Sequence, residues 1–458
     1  MTVCNPLNRS MTTDHSPLHP SRGRCPFIQL LLVLSVSLGW RAPAETLTGT
    51  AGMPANDGTG PVLHVTEADI HDVIADAPPH AVIMADRNAE FVLEKGLEFT
   101  RPLTLIGLNA RLPDGLGKTR LIDVRADGVT IRDFKLTGNV GSVPQNHRAS
   151  LIRIAAEDFI VANGIMNHSS RHGVIVTAGL RETDIDGGLI SNVRGDGNDR
   201  DLVSIESKGH RGLYVRNVTV RDVFCRNSLH RGAVEVCDGV RNIRIHNVYA
   251  ESCHYGVDFQ DHSAEAQYNH DVVIDGVFTR NCFYAVRTGL HMVGHSGLTI
   301  KNVVGREWRY RRHAHPLVIT ETRDVELFAI RIEGWHADQP AVYIDECDGL
   351  VVRDLVLRGT DSDAEAVKLM NSSNVVIDGL YLRENRKVPP HALLVEIRKP
   401  RPFRNLIVRN VIAPGSAVTL RNAEGGGGLT DYLITGNIVR VEDMIRSATG
   451  VIHNNLER

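Results

Sequence analysis

Short alternations of apolar and polar residues return along this chain at nearly constant distance. In the clearest stretch they read Leu213-Tyr-Val-Arg-Asn217, Ile243-Arg-Ile-His-Asn247, Val272-Val-Ile-Asp-Gly276 and Leu298-Thr-Ile-Lys-Asn302. Two apolar residues flank an outward one, the period of a strand, and each phrase closes on Asn or Gly, which tolerate a tight turn. Traced by its last apolar residue, the phrase falls at Ile131, Val161, Ile185, Val215, Ile245, Ile274, Ile300, Leu327, Val352, Ile377, Val408 and Ile434, at intervals of 24 to 31 residues. A second short strand precedes most copies, as in Val203-Ser-Ile-Glu206, Ala233-Val-Glu-Val236, Gly256-Val-Asp-Phe259 and Ala285-Val-Arg-Thr288. No helical period fills the gaps. Two or three strands per repeat with variable turns predict a solenoid of β coils, not a propeller or a leucine-rich repeat.

Before the repeat, Thr66-Glu-Ala-Asp69 has the form of a capping box. Ile70, Val73, Ile74 and Ala77 then share one face of a short helix that Pro78-Pro79 ends. Such a helix would cover the bare first rung of an open stack. The chain therefore divides into a signal peptide (1–44), a linker (45–60), a cap with the first coils (61–120), the repeat proper of about 12 or more coils (121–445) and a tail (446–458).

Composition changes the picture in three places. Length and a 42% hydrophobic content allow several domains, and the repeat argues for one long one. The balance of 51 basic against 54 acidic residues, net charge -3, argues against a nucleic-acid partner and gives no global membrane signal. Arg9, Arg22 and Arg24 precede an apolar run over 27–40, with Ala42-Pro43-Ala44 following. This is the layout of an export signal cleaved after Ala44, with Met11 as an alternative start. The expectation is a secreted or periplasmic monomer, without membrane attachment after cleavage. Cys4 and Cys25 leave with the leader; Cys225, Cys237, Cys253, Cys282 and Cys347 remain. Cys253 and Cys282 should stack on successive coils, either as reduced thiols or as a disulfide.

The repeat and the cap helix resemble the right-handed parallel β-helix group, the pectin-lyase-like superfamily, over residues 62–445. The resemblance implies that Asn163, Asn192, Asn217, Asn247, Asn302 and Asn410 form a turn ladder. It also implies that the strand before the variable turn, with its flanking loops, forms a polysaccharide groove. With Val and Ile pointing inward, the outward column on that strand reads Arg153, Ile175, Ser204, Glu235, Asp258, Arg287, then Tyr343 and Lys368, with Glu206 and Gln260 one step further on the same face. Glu206, Glu235 and Asp258 come from three successive coils. A proton, a Ca²⁺ ion or Arg287 could relieve their repulsion, or they are solvated charges on an open face.

Basic and aromatic loops flank this column and would rim one groove, with Arg171, His172, Lys208, His230, Arg231, Tyr255 and Gln260 as candidate contacts. Cationic rims suit an acidic polysaccharide. Its cleavage by β-elimination needs a neutralised carboxylate, a base and an acid. Ca²⁺ held by Glu206, Glu235 and Asp258, or Arg287 itself, could neutralise; His254, His315 or Arg287 could be the base, and Tyr255 or water the acid. A hydrolase would instead use Glu235 and Asp258 as paired carboxylates. An epimerase sharing the proton abstraction, and a carbohydrate-binding protein without catalysis, complete the alternatives. The motif sets of the polygalacturonases and common pectate lyases are missing. Arg171-His172-Gly173 resembles the Arg-His-Gly of the alginate and chondroitin lyase family, but here it precedes its strand instead of following it.

Overall fold

The computed structural model describes residues 60–207, 212–262, 267–289, 294–310, 314–445 and 450–456. The leader, most of the linker and Lys208 lie outside them. Every strand pairing among these residues is parallel, and the chain winds into an all-β solenoid of about 13 turns. The short helix Ile70–Asp76 lies at its start, with Ile70, Ile74 and Ala77 buried. Thr66 and Asp69 are hydrogen-bonded as the capping pattern implies, Thr66 N to Asp69 Oδ1 at 2.6 Å. At the other end Val451–His453 pairs with Leu429–Thr435, so coil pairing continues into the stretch assigned to the tail.

A typical coil contains one short strand and one long one. The short strands include Val203–Glu206, Val234–Cys237, Tyr255–Gln260 and Tyr284–Thr288. The long ones, such as Val215–Arg226 and Val240–Glu251, carry the recurring phrase at their start. The phrase does not end a strand, as its closing Asn suggests. Asn217 and Asn247 bend a continuing strand by taking left-handed conformations, at φ 57° and 55°. Each bend is tied to the coil before it by a side-chain amide: Asn192 to Asn163 at 2.9 Å, Asn247 to Asp222 at 3.1 Å, Asn302 to Asp275 at 2.7 Å. Among the six asparagines the ladder is therefore mostly Asn on Asp, with Asn192 on Asn163 the Asn–Asn rung.

Inside the coils Val203, Ile205, Val234, Val236, Val257, Phe259 and Val286 are sealed from solvent and stack on one another. This aliphatic column fixes the phase of the strand, because a one-residue slip would turn it outward. The five described cysteines are buried and unbonded; Cys253 Sγ lies 3.8 Å from Cys225 Sγ, too far for a disulfide.

Candidate functional site

Register places the outward column where the alternation predicts. Ser204 pairs with Glu235, Glu235 with Asp258, Asp258 with Arg287, and the line continues through Val318 to Tyr343 and Lys368. Glu206 and Gln260 sit in the neighbouring column with Cys237 between them. The correction concerns solvent. Glu235 is 2% exposed and Asp258 is fully buried, so the face is not an open one. Arg231, from the loop before one of these strands, reaches Glu235 and Asp258.

Four charged groups form the floor. Arg287 grips Asp258 with two parallel hydrogen bonds, Nε to Oδ1 at 3.0 Å and a terminal nitrogen to Oδ2 at 2.5 Å. Its guanidinium also lies over the rings of Tyr255 and Tyr284, at 5.4 and 5.2 Å. Glu235 is held by neutral donors, Ser204 Oγ at 3.2 Å and Gln260 Nε2 at 2.9 Å. Arg231 reaches between the two carboxylates, 3.6 Å from Glu235 and 3.8 Å from Asp258. On the far side His262 Nε2 stands 3.8 Å from Glu235, while its Nδ1 contacts Asp238 at 2.8 Å.

Behind the floor lies a fully buried set. Tyr255 donates to Asp201 Oδ1 at 2.7 Å, and the second oxygen of Asp201 is 3.5 Å from His172 Nδ1. Gly232 lets Tyr255 lie flat against the loop, since a Cβ there would stand 2.2 Å from the ring. Tyr255 and His172 are thus supports and not groove walls, because neither has surface to offer a polymer.

Burial sets the protonation of this region. Glu206 is raised to about 7, first by desolvation and then by Glu235 and Asp238. Glu235 is raised by burial and Asp201 against the pull of His172, Arg231 and His262. Asp258 is raised by burial against Arg287, and Asp201 reaches about 6, mainly by burial. His262 is raised too, which favours its charged form: its hydrogen bond to Asp238 outweighs burial, and with Glu235 nearby lifts it to about 9. His172 falls to about 3 through burial and is a neutral imidazole. At neutral pH His262 is a cation, while Glu206 is poised near half-ionised.

The Ca²⁺ set expected at Glu206, Glu235 and Asp258 does not fit the donors. Both oxygens of Asp258 are taken by Arg287 and those of Glu235 by Ser204 and Gln260, whereas calcium wants six to eight oxygens. The cation that pairs with Asp258 here is Arg287. Three other groups have ligand atoms within 4.8 Å of one another: His172 with Asp201 and Glu235, Glu235 with Cys237 and His262, and Glu206 with Cys237 and Asp238. Their nitrogen and sulfur donors suit a transition ion better than calcium.

Two hollows lie along the column. One, of about 530 Å³, is lined by Tyr284, Arg287, His315, Tyr343 and Lys368 among others. His315 stacks on Tyr343 at 5.0 Å and its Nδ1 is bound to the Pro340 carbonyl at 2.7 Å. The other, of about 330 Å³, is lined by Arg148, Arg171, Arg200, His230 and Arg231 with Asp199. His254 lies in neither; it packs edge-on against Phe283. Neither His262 nor Asp201 belongs to the outward column that the sequence singles out. The signal for His262 was its place two residues beyond Gln260, continuing the outward alternation around the corner.

No family profile matches the chain, and no curated protein does. Solved structures do. The N-terminal fragment of bacteriophage phi29 gene product 12 is 12% identical with a TM-score of 0.51, over 85% of this chain and 68% of that one. The chain spans 64% of the pre-mature form of the same phage protein, at 11% identity and a TM-score of 0.49. The A-module of the Azotobacter vinelandii mannuronan C-5 epimerase AlgE4 is 12% identical with a TM-score of 0.46, over 84% of this chain and 95% of that one. Parallel coils and the phage likeness together define the class: the chain has a parallel β-helix fold. Identity this low speaks to fold alone.

Proposed function

We propose that this is an exported enzyme that cleaves an acidic, uronic-acid polysaccharide by β-elimination in the groove over residues 168–315. The observation that carries the reading is the floor itself. Arg231 and Arg287 are set among buried carboxylates, with one flanking group poised near neutrality and another held cationic. Arg231 and Arg287 meet the uronate carboxylate and withdraw charge as the C5 carbanion develops. Glu206, at about 7, takes the C5 proton; the electron pair forms the C4–C5 double bond and the C4–O bond breaks. His262, at about 9, gives its proton to the departing oxygen. In this scheme Glu206 replaces His254 and His315 as the base, and no step needs a metal. Hydrolysis by Glu235 and Asp258 is less well supported, because Asp258 has no exposed oxygen and both are committed to Arg287.

The test is incubation with alginate, pectate and sulfated uronans. Ultraviolet absorbance from unsaturated uronide ends is the expected result. New reducing ends without that absorbance would mean a hydrolase, and binding without either would mean a carbohydrate-binding protein.

A further inference from the structure

The hollow at Arg148, Arg171, Arg200 and Arg231 holds more positive charge than its surroundings answer. It is built by loops of successive coils: Arg200 N donates to the Arg171 carbonyl at 2.9 Å and His230 N to that of Asp199 at 3.0 Å. Its one acidic wall residue, Asp199, is spent. The same oxygen takes Arg148 at 2.7 Å and His230 Nδ1 at 2.9 Å. Arg231 leans away toward Glu235 and Asp258. Arg171 and Arg200 make no ion pair with any described residue, although they line the same space. Like charges gathered in one hollow repel unless an anion lies among them.

We propose that this hollow is an oxyanion subsite that takes a sulfate group of the substrate, so that the polymer is a sulfated uronan. The proposal rests on the reading of the groove as a uronan site and adds to it. A uronate carboxylate offers two oxygens in one plane and is served by a single guanidinium fork, the part Arg231 plays on the floor. A sulfate ester offers three oxygens in a tripod. Several guanidiniums lining one hollow from loops of different coils, Arg148, Arg171 and Arg200, suit a tripod better than a plane. A chain lying along the column would then place its sulfate in this hollow while a neighbouring uronate reaches the floor.

The test is calorimetric titration of the full chain with inorganic sulfate and, separately, acetate, for the wild type, Arg171→Gln, Arg200→Gln and Arg200→Lys, each checked for unchanged melting. One sulfate per chain is expected, with acetate at least about tenfold weaker. Sulfate should weaken by about tenfold or more in both Gln variants, and Arg200→Lys should recover only part, since it restores charge without the fork. Sulfate binding equal in all four proteins, or no preference over acetate, would overturn the subsite. A second arm compares turnover of sulfated and unsulfated uronans, where preference for the sulfated polymer is expected and equal turnover would contradict it. If sulfate binds as described but no uronan is cleaved, the subsite stands and the lyase reading falls.

Discussion

Glu235 and Glu396 make an instructive pair. Both lie on short strands of the same face and are almost equally buried, at 2% and 3% exposure. Burial would raise both. At Glu396 it is outweighed by cations: Arg421 bonds one oxygen, Arg398 approaches the other at 2.6 Å and Lys368 at 3.3 Å, and the carboxyl is held below its ordinary range. At Glu235 the nearest cation is 3.6 Å away, the close donors are neutral, Asp201 adds to the penalty, and the carboxyl is held above it. In the later coils opposite charges meet and cancel. In the earlier ones Asp258 has Arg287 in its fork, but Glu235 beside it has no cation within hydrogen-bond reach. A buried carboxylate left without a close cation does nothing to hold coils together, and a site for a charged polymer can use it.

The largest expected break comes from Asp258→Ala. It strands the half-buried Arg287 and should cost about 3–5 kcal/mol in chemical unfolding, whereas Glu396→Ala, whose two arginine partners are more exposed than Arg287, should cost about 2 kcal/mol or less. Equal losses would erase the distinction. Next is Glu206→Gln. Glu206 binds its proton more tightly folded than unfolded, so stability falls as pH climbs from 4.5 through about 7. The substitution should therefore gain on the order of 3 kcal/mol above that range and nothing below it. Glu396 has the opposite slope, contributing stability above pH 4.5 that disappears on acidification, so Glu396→Gln should flatten the acid limb of the melting curve. The smallest effect belongs to His262→Gln. The raised histidine contributes below its ordinary value of 6.5 and loses that contribution as pH rises through about 9, so the variant should lack the alkaline decline in melting temperature.

The line from Ser204 through Glu235 and Asp258 to Arg287 could be read before any coordinates. Val203, Ile205, Val234 and Val236 fix the inward phase, which leaves only one face for the residues between them. A repeat of near-constant length then sets each coil on the last. Burial could not be read in the same way, because it depends on how loops of different lengths fold back, and those loops carry no period. That is why Tyr255 and His172 look like groove contacts in sequence and lie beneath the floor in space. It is also why the carboxylates suggest a calcium cage until Arg287 is seen with both oxygens of Asp258 in its fork. Asp238 and Asp261 show the same limit: they sit at corners, where Asp238 N donates to Asp261 Oδ1 at 2.6 Å and Asp238 in turn sets the proton affinity of His262.

The most direct test of the groove as an elimination site is the rate of unsaturated-uronide formation from a sulfated uronan as a function of pH, for the wild type and Glu206→Gln. The account predicts a wild-type acid limb with an apparent pKa near 7 and a rate in the variant lower by about a hundredfold or more. A variant that eliminates at the wild-type rate, or a wild type that produces no unsaturated ends from any uronan, would contradict it.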